Sequence, residues 1–123
     1  MITGFVTSEV EAVIRLSVYG SPGQVHDING VIDTGFDGSL TIPPEMIAEL
    51  NLHWRRRGQG ILADGTERVF DIYRATVDWD GEQRHVDVHE ANATPLVGMA
   101  LMRGFELRIQ VVDGGTVIIE SLP

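Results

Sequence analysis

Val31-Ile32-Asp33-Thr34-Gly35 is the segment of this sequence best suited to chemistry. Two apolar β-branched residues lead into a carboxylate, so Asp33 stands at the end of an element built for burial. A carboxylate there is costly unless it is hydrogen-bonded or shares its charge with a partner. Held that way, it can serve as a general acid or base. Thr34 supplies a hydroxyl able to bond the backbone or a symmetry mate. Gly35 lets the chain turn sharply and approach the carboxylate closely. The same residues also suit an ordinary turn in which local amides satisfy the Asp.

His85, Asp87 and His89 alternate with Val86 and Val88. On a strand the three would share one face, where they could ligate zinc or nickel. The solvated face of an amphipathic strand has the same pattern and is the preferred reading, so no metal is expected. Arg55-Arg56-Arg57 could form an anion patch. In a chain of formal net charge −9 it reads instead as a solvated turn or an intersubunit ion-pair site. There is no Gly-x-x-x-x-Gly-Lys loop, Gly-x-Ser-x-Gly elbow or His-Glu-x-x-His motif, so phosphate-loop, serine-hydrolase and zincin chemistry have no foothold. Zero Cys excludes a disulfide framework, a thiolate metal site and a Cys nucleophile.

The elements that must position Asp33 are short. Fourteen Gly and five Pro divide the 123 residues into brief runs rich in Val, Ile, Thr, Tyr and Phe, the pattern of many strands joined by turns. Strands are expected at 12–19 and 25–32, paired as a hairpin around Gly20-Ser21-Pro22-Gly23. Asp-Gly pairs predict further hairpins at Ala63-Asp64-Gly65-Thr66, as a tight type I′ turn, and at Asp78-Trp79-Asp80-Gly81. A fourth is expected at Val112-Asp113-Gly114-Gly115, between strands 107–111 and 116–119. One helix should begin at Pro43-Pro44-Glu45 and end at Asn51 or Leu52. A second should run from Val97 to Arg103 and stop at Gly104. The fold class is all-β, mainly strands with one or two short helices, as a sandwich or barrel.

These residues together resemble the retropepsin-like (retroviral-type, clan AA) aspartic protease family. In that family a hairpin precedes Asp-Thr-Gly and a flap hairpin follows it, with Asp64 and Gly65 at the matching place. An apolar-apolar-Gly segment then leads into a short helix, as Leu96-Val97-Gly98 does here. Asp33 to Pro43 fits Asp-Thr-Gly-Phe-x-Gly-x-Leu-x-x-Pro, similar to a bacterial branch. The resemblance spans about residues 10–112. Val31 to Gly35 and Leu96 to Gly98 look like halves of a degenerate repeat, of which only the first carries a carboxylate.

The resemblance implies a closed, acid-protease-like β barrel of a single lobe. It implies an aspartic endopeptidase in which Asp33 is the catalytic carboxylate. Such chemistry needs two carboxylates sharing one proton, so one Asp33 from each subunit of a homodimer would form the pair. Thr34 would buttress the pair and Gly35 would shape the loop. The 61–69 hairpin would close over an extended protein or peptide substrate, with water as nucleophile and no cofactor. Apolar residues near the C-terminus, Val117-Ile118-Ile119, are expected to pair across the dimer as an edge strand. Phe36 stands where retropepsins usually carry Ala, and Ala100 where Asp or Asn is frequent. The alternative reading is a catalytically inactive peptide-binding or dimerisation module.

Composition sets the outer bounds. With 43% apolar and 22% charged residues, residues 1–123 are expected to be one globular domain. The acidic balance argues against nucleic acid and anionic membranes as partners. No apolar run reaches the roughly 18 residues that span a bilayer. MITGFVTSEVEAVI has no basic leader region, so a cytoplasmic location is expected.

Overall fold

Ile14, Leu16 and Val18 point inward and Arg15 and Ser17 outward, which makes residues 12–19 a half-buried strand. The outward pair binds Asp27 on the next strand, Arg15 at 3.2 Å and Ser17 Oγ at 2.6 Å. These contacts agree with the register Ser17↔Asp27. The structure is a computed structural model that describes residues 1–61 and 64–123. In chain order it contains β1 (Ile2–Val6), β2 (Ala12–Tyr19), β3 (Val25–Ile32), β4 (Leu40–Ile42), α1 (Pro44–Leu50), β5 (His53–Ile61), β6 (Glu67–Trp79), β7 (Glu82–Glu90), β8 (Leu96–Val97), α2 (Met99–Met102), β9 (Phe105–Ile109) and β10 (Thr116–Ser121).

The described strands form one sheet in the order β5-β6-β7-β4-β8-β3-β2-β1-β10-β9. An extra pairing, Val18↔Val77 and Tyr19↔Thr76, joins β2 to β6 and returns the sheet on itself. β5 and β9 remain its two open edges. The core lies within this curve and includes Ile14, Leu40, Leu50, Trp79, Val97 and Leu101, all at most 1% exposed. Among the described residues no helix is long and apolar enough to cross a membrane.

The β2–β3 hairpin and the first helix match expectation. Pro44 opens α1, where its missing N–H has no helical partner to lose. Asn51, with φ 50°, ends it in the left-handed conformation that Asn tolerates. Asp80 and Gly81 both have positive φ between Trp79 and Glu82, as a type I′ turn demands.

Other expectations are corrected. The type I′ turn expected at 63–66 includes Ala63 and so falls partly outside the described residues. Among the described residues the β5–β6 ladder runs to Ile61↔Glu67, and the Asp64 carboxylate accepts from the Thr66 amide and hydroxyl. Leu62 and Ala63 of that hairpin lie outside the described residues. Arg55-Arg56-Arg57 is not a turn but part of β5, with a bulge between Trp54 and Arg56. The second helix is only Met99–Met102, because Val97 pairs with Ile32 and Leu40 and Gly98 is extended. The strand expected to end at 111 ends at Ile109. Val117-Ile118-Ile119 is no edge, since β10 lies between β1 and β9 and buries Val117 and Ile119 completely. β1, β4 and β8 are too short or too irregular in pattern to stand out in the sequence.

Leu40 is fully buried where β4 meets β7 and β8. Leu40→Ala should cost about 2–5 kcal/mol through lost burial and a cavity. The urea midpoint is expected to fall with an unchanged m-value, which equilibrium unfolding would check.

Candidate active site

β3 delivers Asp33. Its last residues run parallel to β8, with Val31↔Leu96 and Ile32↔Val97. The Asp33 N–H donates to Val97 O at 2.9 Å, so the ladder continues one residue past the strand. Three more backbone bonds join the two loops: Gly98 N to Ser39 O at 3.0 Å, Met99 N to Phe36 O at 2.8 Å and Ala100 N to Gly38 O at 3.1 Å. The segments read as halves of a repeat therefore lie side by side. Gly98 permits this approach, because a Cβ there would sit 2.1 Å from Gly38 O.

The Asp33 side chain is half-buried, while Thr34 and Gly35 are exposed. Asp33 Oδ1 accepts the Gly35 N–H at 2.9 Å. Among the described residues this is the one hydrogen bond the carboxylate makes, and Oδ2 has no partner among them. Phe36 N closes the turn on Asp33 O at 3.2 Å. Thr34 lines an adjacent depression of about 380 Å³ with Met99, Met102, Phe105 and Leu107. The loop thus presents a carboxylate held by a backbone amide next to a depression lined mainly by apolar side chains together with Arg103, an arrangement suited to proton transfer.

Phe36 packs into space left by two glycines. A Cβ on Gly38 would meet its ring at 2.5 Å, and one on Gly98 would meet it at the same distance. Its ring meets His89 edge-on at 5.3 Å between centroids, and His89 stacks on Phe70 at 4.8 Å. Phe70 belongs to β6, opposite Gly58 of β5. The β5–β6 hairpin, whose 61–69 end is the expected flap, is therefore tied midway along its length to the Asp33 loop by three rings. Burial holds the His89 imidazole below its ordinary value of 6.5, opposed by Asp87 and Asp37 and assisted by Arg56.

Asp64 and Gly65 are exposed near the tip of this hairpin. Hydrogen bonds from the Thr66 hydroxyl and amide hold Asp64 below the usual carboxylate range. His85, Asp87 and His89 share a face of β7 but do not converge. His85 Nδ1 meets Thr76 Oγ1 at 2.9 Å, Asp87 holds Arg55 and Arg56, and His89 is packed between rings. Among the described residues no group of His, Asp or Glu could hold a metal ion.

Sequence reasoning missed two contributors. Thr41 is buried, and its Oγ1 accepts the Leu96 N–H at 2.8 Å, which fixes the start of β8. A lone polar residue inside Leu40-Thr41-Ile42 was the available sign. His89 and Phe70 as a link to Phe36 had no sign, because the contact depends on β4 pairing with β7.

No protein-family model matches the chain, and no curated protein matches it. A solved structure described as a retropepsin-like aspartic protease from Rickettsia conorii is similar, with a TM-score of 0.58 and 13% identity. The match covers 99% of this chain and 91% of that one. At this identity the likeness is one of fold: the mainly β architecture is similar to that of the Rickettsia conorii protein.

His89 gives a pH test of the ring contacts. Its folded value is depressed, so the native state binds fewer protons than the unfolded chain. The stability due to the neutral ring is present above pH 6.5 and lost as pH falls through the folded value. His89→Phe keeps a ring without a titrating group. Relative to this variant, the parent's urea midpoint should hold steady above that pH and decline below it. Parallel curves throughout would count against the contact.

Proposed function

We propose that the chain is a retropepsin-like aspartic endopeptidase that works as a homodimer. The observation that carries this reading is the Asp33 carboxylate. It is held by its own Gly35 amide on a loop stitched to Leu96-Val97-Gly98, with one oxygen free of partners among the described residues. The likeness of fold supports the same reading. The chain has one Asp-Thr-Gly, so the second carboxylate comes from a second copy. The exposed Thr34 would buttress the pair from each side. The β5–β6 hairpin would cover a peptide bound in extended form.

Two carboxylates so close cannot both ionise, and they share one proton. The ionised Asp33 removes a proton from water, and the water oxygen bonds to the scissile carbonyl carbon. The other Asp33 donates its proton to the carbonyl oxygen. Collapse of the resulting diol breaks the C–N bond as the leaving nitrogen takes a proton, and the pair returns to its shared-proton state. The second reading is an inactive peptide-binding or dimerisation module. It is favoured by Phe36, which fills space beside Gly98, and by Ala100, which offers the second loop no polar side chain.

Digestion of a peptide library across pH decides between them. The parent should cleave with a rate that rises and then falls with pH, unaffected by chelator, and sediment as a dimer. Asp33→Asn should remove all cleavage while the protein stays folded, because an amide cannot act as the base. Peptide binding without cleavage by the parent would favour the module. Full activity in Asp33→Asn, or in a strict monomer, would refute the dyad.

A further inference from the structure

Arg55, the first of the arginine run, and His85 take no part in the Asp33 loop, yet they meet at a separate cavity of about 380 Å³. It opens where the start of β5, the middles of β6 and β7, the turn after β2 and the end of α1 come together. None of its lining residues belongs to 33–38 or 96–98.

Its charge is one-sided. Arg55, Arg74, His53 and His85 line it, and no Asp or Glu does, although the chain has 18 acidic residues against 9 basic ones. Strand register builds this surface. His53 pairs with Arg74 and His85 with Thr76, so these side chains share one face of the sheet. Arg55, two residues beyond His53 at the β5 bulge, lines the same cavity.

Asp87 takes up part of this charge but not all of it. Arg56, which does not line the cavity, holds Asp87 Oδ2 at 3.0 Å, while Arg55 Nε keeps only a 3.8 Å contact to Oδ1. Arg74 is half-buried, and among the described residues it makes no ion pair and no side-chain hydrogen bond. The Thr76 contact occupies His85 Nδ1 and leaves Nε2 free for another partner. The Tyr19 hydroxyl at the rim already donates to Asp78 at 2.8 Å. Asp87 stands opposite Arg74 in the β6–β7 register, but its oxygens hold Arg55 and Arg56, so the planar Arg74 fork is open to an oxyanion.

We propose that this cavity binds a small phosphate-bearing molecule, with Arg74 and Arg55 as the principal contacts and His53 and His85 completing the shell. One guanidinium satisfies both oxygens of a carboxylate. Four nitrogen-bearing side chains suit the larger number of acceptors on a phosphate. The volume exceeds that of the phosphate alone, and Leu52 and Ala75 offer an apolar wall for an organic body. The site is independent of the protease reading.

Amide NMR on isotope-labelled protein tests this by titration with inorganic phosphate, against sodium chloride of equal ionic strength. Saturable shifts are expected at 20–21, 52–55, 74–76 and 85, and not at 33–38. Loss of a charge-assisted hydrogen bond in Arg74→Gln should weaken binding by about tenfold or more. Arg55→Gln should weaken it less. Arg108→Gln, which removes a cation paired with Glu106 and Glu120, should leave it unchanged. Shifts no larger than those caused by chloride, or equal affinity in the parent and Arg74→Gln, would overturn the proposal. If Arg74→Gln loses its dispersed spectrum, Arg55→Gln and His85→Gln decide in its place by the same criterion.

Discussion

Four backbone hydrogen bonds hold the Asp33 loop against the segment Val97–Ala100, and the geometry of the carboxylate depends on them. The two loops are distant in sequence, so bringing them together costs chain entropy. That cost is offset by burial of Val97, Leu40 and Leu101 beneath the loops. The bonds also demand bare backbone at the crossing. Gly98 faces Gly38 O too closely for any side chain, and Gly38 leaves room for the Phe36 ring. One spatial constraint thus accounts for two glycines, an aromatic residue and the extended entry to α2.

The sheet packs on both faces, and the second face explains Phe36. Ile72 is buried yet stands apart from the main core, on the face that carries His89. Phe36, His89, Phe70 and Ile72 form a small apolar cluster around Gly58, where a Cβ would meet Phe70 and Ile72 below 3 Å. A small residue at position 36 would leave this cluster open. The large one joins the loop to the middle of the long hairpin.

What the sequence revealed follows from how local each signal is. The β2–β3 hairpin, α1 and the Asp80-Gly81 turn depend on neighbouring residues and could be read directly. Asp33 and Leu96–Gly98 were singled out, and the structure sets them side by side. β4 and β8 have three and two residues and exist only because partners lie on both sides, so no period could mark them. The arginine run misled because β5 is an edge strand with a bulge, exposed over most of its length and without alternation. The apolar C-terminal run misled in the other direction. Its hydrophobicity serves burial between β1 and β9 rather than an open edge.

β1 takes β2 on one side and β10 on the other, with Ile2 opposite Ile119. The ribosome makes β10 last of all the strands, so the first strand leaves the exit tunnel long before its second partner exists. Through most of translation the outward edge of β1 is an unsatisfied row of amides and carbonyls. It carries Phe5, which stays 54% exposed even in the finished protein. The last rung of the sheet closes only after the site loops have been synthesised, so this non-local pairing comes late and its loop-closure entropy is met last.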